Sequence, residues 1–239
     1  MKFIYKRILF KISGEVIKNI NNKKFQNSII FNIIKDIKYL IKHGIEISII
    51  IGGGNLFRGS ELTKIGINRI TADYIGILST VINGLFLKDL FNKYNISVCL
   101  MSSNIVNDVC EKYNLEKAIN LLSNSVVVIF CGGFGYPFFT TDSAACLRAI
   151  ETCSDIILKG TQVNGVYSKD PKNYKNAILY DKLNYQDVLK NEFKIMDLTA
   201  FILARDHNIP ICIFNIYNKK ALIRILFGEK EGTIIHNNI

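Results

Sequence analysis

The 239-residue sequence lacks several features that mark membrane, secreted and zinc-binding proteins. Its six cysteines form no C-x-x-C pair and mostly stand in apolar stretches, so buried reduced thiols fit better than disulfides or zinc. Charged residues interrupt the N-terminal MKFIYKRILFKISGE, and no small-residue cleavage site follows it, which argues against a signal peptide. No apolar run approaches the length that spans a bilayer. We therefore expect a cytoplasmic protein without a membrane partner.

Two common nucleotide-binding motifs are also absent. The sequence contains no G-x-x-x-x-G-K-[ST], which excludes a P-loop protein, and no G-x-G-x-x-G opens a helix after the first predicted strand. Histidine is scarce, and His43, His207 and His236 all lie outside the glycine-rich loops described below. A hydrolase that relies on a histidine base is therefore disfavoured.

Acidic residues are too few to balance the basic ones, and the formal net charge is +10. A basic surplus favours polyanionic partners such as nucleic acids, anionic membranes or phosphorylated small molecules. The lysines occur in scattered pairs such as Lys23-Lys24 and Lys219-Lys220, which is more typical of a solvated surface than of a nucleic-acid patch. A basic regulatory protein that binds nucleic acid therefore stays open only as an alternative.

Hydrophobic periodicity predicts strands that alternate with helices. A helix is predicted at 28–43, with Ser28 placed to cap its start and Gly44 its end, and the apolar stretch 45–51 predicts a strand buried on both faces. Further strands are predicted at 5–12, 96–101, 126–131, 155–159, 210–215 and 233–236, a hairpin turn at Asn164-Gly165, and helices at about 72–93, 115–122, from near Asp142, 197–207 and 218–227. This order predicts one α/β domain, a three-layer αβα sandwich with a mostly parallel central sheet.

Glycine-bearing loops follow three of the predicted strands. They are Lys11-Ile12-Ser13-Gly14, Gly52-Gly53-Gly54-Asn55, and Gly132 to Gly135. Ligands of open α/β sheets bind beyond the carboxyl ends of the strands, where glycine lets backbone N–H groups approach phosphate oxygens. One such loop could be a plain turn, but three at equivalent strand ends favour phosphate binding.

Charged residues next to these loops have two interpretations each. Lys11 could neutralise transferring phosphate oxygens or could be a solvent-facing strand lysine, and Arg58 could hold phosphate or lie free near a turn. Thr141 or Asp142, in the unusual segment from Pro137 to Ser143, could simply cap a helix.

From about residue 5 to residue 235, the chain resembles the bacterial uridylate kinase family of the amino acid kinase superfamily. The stretches that carry this resemblance are YKRIL and KISGE at 5–15, IGGGNLFRG at 51–59, PFFTTDSAA at 137–145, MDL at 196–198, ARDH at 204–207 and GEKEGT at 228–233. Residues 18–24 contain no glycine where many relatives carry a glycine-containing loop, and arginines that relatives use for regulation by GTP are replaced around Lys88 and Cys99. The resemblance therefore does not extend to activation by GTP or inhibition by UTP.

The resemblance implies a role for each matching position. Lys11, Arg58 and Asp142 would be catalytic, with Asp142 orienting Lys11. ATP would be bound by Lys11, Ile12, Ser13, Gly14, Gly54 and Arg58 at its phosphates and by Thr161, Tyr167 and Asp170 at its base and ribose. UMP would be enclosed by Gly53, Asp73, Phe134, Gly135, Tyr136, Pro137, Phe138, Phe139, Thr140 and Thr141, with Asp73 on the ribose hydroxyls.

The resemblance also implies the reaction ATP + UMP → ADP + UDP, on the way to UTP and CTP. UMP already presents an anionic oxygen, because the second pKa of a phosphate monoester is about 6, so no general base is needed. Mg²⁺ would be held mainly by the ATP phosphates, since no carboxylate cage is visible. The family further implies an acceptor lobe at 1–155, an ATP lobe at 156–239 and a homohexamer built through helices such as 72–93.

Overall fold

The computed structural model describes residues 2–17, 29–193 and 195–237, and the account below concerns these residues. Ser28 and residues 18–24, for which the sequence suggested a helix cap and a departure from the family, lie outside them. The strands are β1 (Arg7–Ile12), β2 (Glu46–Ile51), β3 (Val98–Ser102), β4 (Glu111–Lys112), β5 (Val127–Cys131), β6 (Ile156–Thr161), β7 (Lys182–Asn184), β8 (Ile211–Asn215) and β9 (Thr233–His236). The helices are α1 (Ile29–Lys42), α2 (Gly59–Lys64), α3 (Arg69–Lys93), α4 (Leu115–Ser123), α5 (Thr141–Glu151), α6 (Tyr185–Lys190), α7 (Leu198–Asp206) and α8 (Ala221–Leu226).

The described strands form one nine-stranded sheet in the order β4-β3-β5-β2-β1-β6-β8-β9-β7. Every pairing between them is parallel except that of β8 with β9. Parallel strands expose no face of the sheet to water, because the helices that connect them cover both faces. The predicted mostly parallel α/β sheet is confirmed.

The two faces of the sheet have separate hydrophobic cores, as the alternation of β1 shows. Ile8, Phe10 and Ile12 point into a core that they share with α1, α3 and α8. Leu9 points the other way, into a core built with α4, α5, α6 and α7. The central sheet and its two helical layers form the predicted sandwich. Since Lys11 alternates with Phe10 and Ile12, it belongs to the face that α5 covers.

Several local predictions are confirmed, and others are wrong. All of β2 is buried, as its apolar composition predicted. At the end of α1, the N–H of Gly44 donates a hydrogen bond of 3.0 Å to the Ile41 carbonyl, as expected for a C-terminal cap. The short elements α2, α6, β4 and β7 were not predicted, because they contain too few residues to show a period. The two-residue hairpin at Asn164-Gly165 does not form. The chain instead pairs at Val166 and Tyr180, which closes a much longer loop.

The longest helix, α3, corrects the expectation that no segment reaches bilayer length. The helix has 25 residues, and its most apolar 18-residue window has a mean hydropathy of 1.5. By length and composition alone, it could cross a membrane. However, Val81, Leu87 and Phe91 are buried in the core that α3 shares with the sheet. A core helix passes the same test of length and composition, so α3 is weak evidence for a membrane span.

The cysteines are free thiols, as expected, but they are not all buried. Cys99, Cys131, Cys146 and Cys212 lie in the core, where burial raises the pKa of each thiol and keeps it protonated. Cys110 is partly exposed. Cys153 is exposed just after α5, which corrects the expectation for that residue.

Candidate active site

Two lysines lie side by side at the carboxyl ends of the central strands. The register of β1 and β6 pairs Lys11 directly with Lys159, and directly paired residues of parallel strands point to the same face. Asp142 lies between them. Its Oδ1 is 2.8 Å from Lys11 Nζ, and its Oδ2 is 2.6 Å from Lys159 Nζ. The three side chains therefore form a mostly buried charged cluster with a net charge of one positive unit.

The start of α5 places Asp142 in this cluster. Thr140 is the N-cap residue, and its hydroxyl oxygen accepts hydrogen bonds from the backbone N–H groups of Asp142 and Ser143. Asp142 thus lies in the first turn, where the helix dipole favours a carboxylate. Burial raises the pKa of Asp142, but the ammonium groups of Lys11 and Lys159 outweigh burial and hold that pKa below its usual value. Capping and lysine contact thus belong to different residues: Thr140 caps the helix, and Asp142 binds the lysines.

Lys159 was not predicted as a site residue. Its ammonium donates to Asp142 and to the backbone carbonyl of Ile195. Burial lowers the pKa of Lys159, and the Asp142 carboxylate opposes that effect. The sequence offered one indication, since Lys159 is a charged residue at the end of an otherwise apolar strand. Its pairing with Lys11 depends on strand order, which a local pattern does not reveal.

A cavity of about 320 Å³ opens beside the lysines on the β6 side. Its lining residues are Lys11, Ser13, Glu15, Val16, Arg58, Lys159, Gly160, Thr161, Gln162, Ile216 and Tyr217. Lys11, Arg58 and Lys159 make this cavity cationic, although Asp142 and Glu15 offset two of their three charges. This cavity, called the donor cavity below, contains Lys11, Ser13, Arg58 and Thr161 of the residues that the sequence assigned to ATP.

A second cavity, of about 340 Å³, lies on the other side of Arg58 and is called the acceptor cavity below. Its lining residues are Gly53, Gly54, Phe57, Arg58, Gly59, Ala72, Asp73, Gly76, Ile77, Thr80, Gly133, Phe134, Tyr136, Phe139, Thr140 and Thr141. The ring centroids of Phe134 and Phe139 are 4.8 Å apart in an edge-to-face arrangement, and the two rings form an apolar wall. Both cavities have the size of a small-molecule site, and Arg58 lines both of them.

Arg58, which lines both cavities, is held by an ion pair with Glu15. It precedes α2, and its Nη2 is 3.1 Å from Glu15 Oε1, in the turn that follows β1. More than half of the Arg58 side chain is exposed, so the guanidinium can turn toward an anion in either cavity.

Asp73 contacts the edge of the acceptor cavity from the first turns of α3. Its Oδ2 accepts hydrogen bonds from Arg69 Nε at 2.8 Å and from the backbone N–H of Phe138 at 2.9 Å. Asp73 therefore connects α3 to the aromatic segment that the sequence assigned to UMP.

The loop after β5 is held in place from two directions. Ser103 donates to the Gly133 carbonyl at 2.6 Å, and Asn104 donates to the Gly135 carbonyl at 3.2 Å. From α3, the hydroxyl of Thr80 accepts the N–H of Gly132 at 2.8 Å. The back wall of the acceptor cavity is thus tied both to the loop after β3 and to α3.

Asp197 joins the two sides of the site. It caps α7 through a hydrogen bond from the N–H of Ala200, and its carboxylate also accepts hydrogen bonds from the hydroxyls of Thr140 and Ser143. The start of α5, which carries Asp142, is therefore fixed to the chain that supplies the Ile195 carbonyl to Lys159. Asp197 belongs to the MDL stretch of the resemblance, but its contacts were not predicted.

The remaining predicted residues have different placements. Gly54 was assigned to ATP but lines the acceptor cavity, and the Ile12 side chain is fully buried. Asp170 accepts hydrogen bonds from Lys172 and Asn173 in the loop after β6. In the described part of the chain, the lining of the two cavities does not include Gly14, Gly135, Pro137, Phe138, Tyr167 or Asp170.

Glycine-rich loops at the strand ends, two lysines around one carboxylate and two cavities that share Arg58 make this an α/β protein with a cationic small-molecule site at the carboxyl ends of its strands. Residues 6–215 match the amino acid kinase family. The chain is 57% identical over 234 residues to uridylate kinase of Buchnera aphidicola subsp. Schizaphis graminum, covering 98% of each chain, and 50% identical to that of Pectobacterium atrosepticum, covering 98% of this chain and 97% of the relative. The chain belongs to the amino acid kinase family, within the group that contains these uridylate kinases.

Solved structures agree with this assignment. UMP kinase from Bacillus anthracis superposes with a TM-score of 0.92 at 42% identity, covering 98% of this chain and 97% of the other. UMP kinase from Ureaplasma parvum superposes with a TM-score of 0.88 at 34% identity, covering 98% and 99%. The nucleic-acid alternative gains no support from these relatives.

Proposed function

We propose that this protein transfers the terminal phosphoryl group of ATP to the phosphate of UMP, giving ADP and UDP for the synthesis of UTP and CTP. The observation that carries the proposal is the position of Arg58, which lines both cavities beside the cluster of Lys11, Asp142 and Lys159. A donor on one side and an acceptor on the other would meet at this cationic boundary. The names of the similar proteins, uridylate kinase and UMP kinase, support UMP as the acceptor.

The chemistry needs positioning and positive charge more than it needs a base. The acceptor phosphate is already ionised at neutral pH, because its second pKa is about 6. Lys11, Lys159 and Arg58 would neutralise the oxygens of the transferring group, while Asp142 holds the two lysines in place. No histidine lines either cavity within the residues that the structure describes, which agrees with a reaction that needs no general base.

The two nucleotides would occupy the cavities in a fixed sense. UMP would lie in the acceptor cavity, with its base against Phe134 and Phe139 and its ribose near Asp73. ATP would place its phosphates at Lys11 and Ser13, and its base and ribose toward Thr161, Tyr167 and Asp170. Of the proposed lobes, 1–155 would supply the acceptor cavity and the residues at the ATP phosphates, and 156–239 would hold the base and ribose of ATP.

Mg²⁺ would enter the site with ATP. The described residues contain no group of three or more His, Cys, Asp or Glu side chains placed to hold a metal ion, and the central carboxylate, Asp142, is occupied by two lysines. This arrangement fits a metal ion coordinated chiefly by ATP phosphates and water. When bound, Mg²⁺ would supply further neutralisation of phosphate charge.

Assembly and location complete the proposal. The exposed apolar side chains of α3 form a stripe at helical spacing that would be covered by a second copy, as the first contact of a homohexamer. The members of this α3 stripe are Ile70, Tyr74, Leu78, Ile82 and Leu85. We place the protein in the cytoplasm, where the exposed thiol of Cys153 would stay reduced.

A screen of acceptors tests the function. Purified protein with ATP and Mg²⁺ is incubated with UMP, CMP or dUMP, and the diphosphate products are separated by anion-exchange chromatography. UMP is expected to give UDP at the highest rate. Absence of UDP, together with turnover of CMP or of a carboxylate acceptor, would overturn the proposal.

A further inference from the structure

A buried amide on α3, Asn83, lies behind the loop 52–55, which packs on the loop 11–14 that is proposed to bind the ATP phosphates. Only 2% of the residue is exposed, and it lines neither the donor nor the acceptor cavity in the described part of the chain. A polar side chain at this depth is stabilising only when its hydrogen bonds are made. The hydrogen-bond partners of Asn83 therefore show which part of the structure its side chain holds in place.

The side-chain amide of Asn83 is hydrogen-bonded to the loop after β2. Its Nδ2 donates to the Gly52 carbonyl at 2.7 Å and to Asn55 Oδ1 at 2.7 Å. Its Oδ1 accepts a hydrogen bond from Asn55 Nδ2 at 3.2 Å. Both N–H groups and the carbonyl of the amide are thus used, and the first and last residues of the segment 52–55 are fixed to one side chain.

The loop after β1 packs directly on this segment. A Cβ atom added to Gly14 would lie 2.1 Å from Asn55 Oδ1 and 2.6 Å from the Gly52 carbonyl oxygen. The N–H of Gly52 also donates to the Ile12 carbonyl at 2.9 Å. The two loops therefore meet at the atoms that Asn83 binds, and the position of Asn55 determines how closely Gly14 can approach.

The same helix fixes the rest of the segment and part of the acceptor cavity. A Cβ atom on Gly53 would lie 2.7 Å from the Gly76 carbonyl oxygen and from Ser79 Cβ, so this loop rests on the α3 backbone. One turn before Asn83, Thr80 binds the N–H of Gly132. The acceptor cavity thus has two connections to α3, one through Thr80 and Gly132 and one through the loop that Asn83 holds, whose Gly53 and Gly54 line it.

We propose that Asn83 is a positioning residue that sets the separation of the loops 11–14 and 52–55, and thereby the alignment of the ATP phosphates with Lys11 and Arg58. Asn83 acts through Gly52 and Asn55 and touches neither nucleotide. The inference rests on the proposed function, since that function assigns Lys11 and Ser13 of the first loop, and Arg58 just after the second, to the donor phosphates.

Asn83→Asp is the sharpest test, because it keeps the size of the side chain. It removes both N–H donors and places a carboxylate oxygen against the Gly52 carbonyl and Asn55 Oδ1, which would push the loop away from α3. Asn55→Ala breaks the same contact from the loop side and leaves the buried helix face intact, so it serves if Asn83→Asp does not fold. Ser79→Ala is the matched control, since the Ser79 hydroxyl is buried on the same helix and donates to Ile75 within it.

Calorimetric titration with ATP–Mg²⁺ and, separately, with UMP is compared with steady-state rates and melting temperatures. Asn83→Asp and Asn55→Ala are expected to weaken ATP affinity and lower kcat at least tenfold, with a smaller loss of UMP affinity, because Thr80 still holds Gly132 in the acceptor cavity. Ser79→Ala is expected to leave ATP affinity, UMP affinity and kcat within twofold of the wild type. Asn83→Ala and the double variant Asn55→Ala with Asn83→Ala complete a mutant cycle, in which the double variant is expected to lose no more than Asn83→Ala, because Asn83→Ala already removes the contact with Asn55.

The positioning role is overturned if both variants keep wild-type ATP affinity, if ATP and UMP affinities fall equally, or if Ser79→Ala does the same damage. Wild-type protein that binds ATP with this dependence on Asn83 but forms no UDP from UMP would leave the positioning role standing and refute the acceptor assignment. Wild-type protein that binds no ATP would refute both.

Discussion

Lys11 and Lys159 are direct partners in the parallel pairing of β1 with β6, and one carboxylate, Asp142, contacts both of their ammonium groups. Two lysines on neighbouring strands repel each other unless an anion lies between them. Asp142 balances one of the two charges, so the cluster keeps one positive charge next to the donor cavity. This residual charge is what a phosphoryl group would meet on entering the site.

The first prediction concerns Lys11. Lys11→Ala is expected to lower kcat by at least about 100-fold, because it removes a positive charge placed at the transferring group. The fold should survive, since Asp142 keeps its ion pair with Lys159. Coupled-enzyme detection of ADP gives the rate, and circular dichroism gives the melting temperature.

Lys6→Ala is the control for that experiment. Lys6 lies just before β1, and most of its side chain is exposed. Its loss should leave kcat within twofold of the wild type. A wild-type rate in Lys11→Ala would show that the strand lysine only fills the space next to Asp142.

The second prediction is a dependence of stability on pH that belongs to Asp142. Its pKa in the folded protein is depressed, chiefly by Lys11 and then by Lys159, against the opposing effect of burial. Its contribution to stability is therefore complete above the unfolded pKa of about 4 and is lost as the pH falls through the folded value. The free energy of unfolding should fall in acid more steeply for the wild type than for Asp142→Asn.

Urea unfolding at pH 7, 5, 4 and 3 measures this difference. At pH 7, Asp142→Asn is expected to cost about 3 kcal/mol, because it leaves two buried ammonium groups without a counter-ion. Asp181→Asn, which removes a half-exposed carboxylate paired with Lys230, should cost less than about 0.5 kcal/mol. If the difference in the free energy of unfolding between the wild type and Asp142→Asn stays constant down to pH 3, a depressed pKa of Asp142 is contradicted.

Local patterns in the sequence predicted much of the fold. The apolar strand β2, the amphipathic helix α1 and the glycines at strand ends follow from residue spacing alone. The short elements α2 and α6 could not be predicted, because six residues show less than two turns of a period. The hairpin at Asn164-Gly165 failed because the chain there pairs further out, at Val166 and Tyr180.

The site was harder to predict than the fold for a physical reason. Lys11 and Arg58 are near glycine loops and could be suggested locally, whereas Lys159, Asp197 and Asn83 act through contacts far along the chain. Their roles depend on strand order and on the angle at which helices cross the sheet. A short window of neighbouring residues determines neither the strand order nor the crossing angle of the helices.

The third prediction separates the two nucleotides. Asp73→Asn is expected to raise the KM for UMP by about tenfold, since hydrogen bonds to a charged group contribute about 1.5–3 kcal/mol. The KM for ATP should change less than twofold, because Asp73 lines the acceptor cavity only. The preference for UMP over dUMP should also shrink if Asp73 binds the ribose hydroxyls.

Asp89→Asn is the control on the same helix. Asp89 is exposed and lies 16 residues further along α3, about 24 Å away at 1.5 Å per residue. It should leave both KM values unchanged. Equal changes in the KM for UMP and for ATP in Asp73→Asn would show a general disturbance of α3 and would contradict the assignment.

The fourth prediction concerns the α3 stripe. Ile82 is 56% exposed near the middle of this apolar row, and a second copy that covers the row would bury it. Ile82→Lys would place an ammonium group in that contact, and a symmetric interface would receive two such charges. We expect the wild type to elute at six times the 27.1 kDa chain mass and Ile82→Lys to elute as a smaller species.

Size-exclusion chromatography with light scattering measures both masses. Ile105→Lys changes an equally apolar and more exposed side chain away from α3, and it should keep the wild-type mass. A monomeric wild type, or an Ile82→Lys variant that keeps the full mass, would contradict the interface. Since Asp73 and Asn83 also lie on α3, at the acceptor cavity and behind the phosphate loops, dissociation is expected to lower kcat as well as mass.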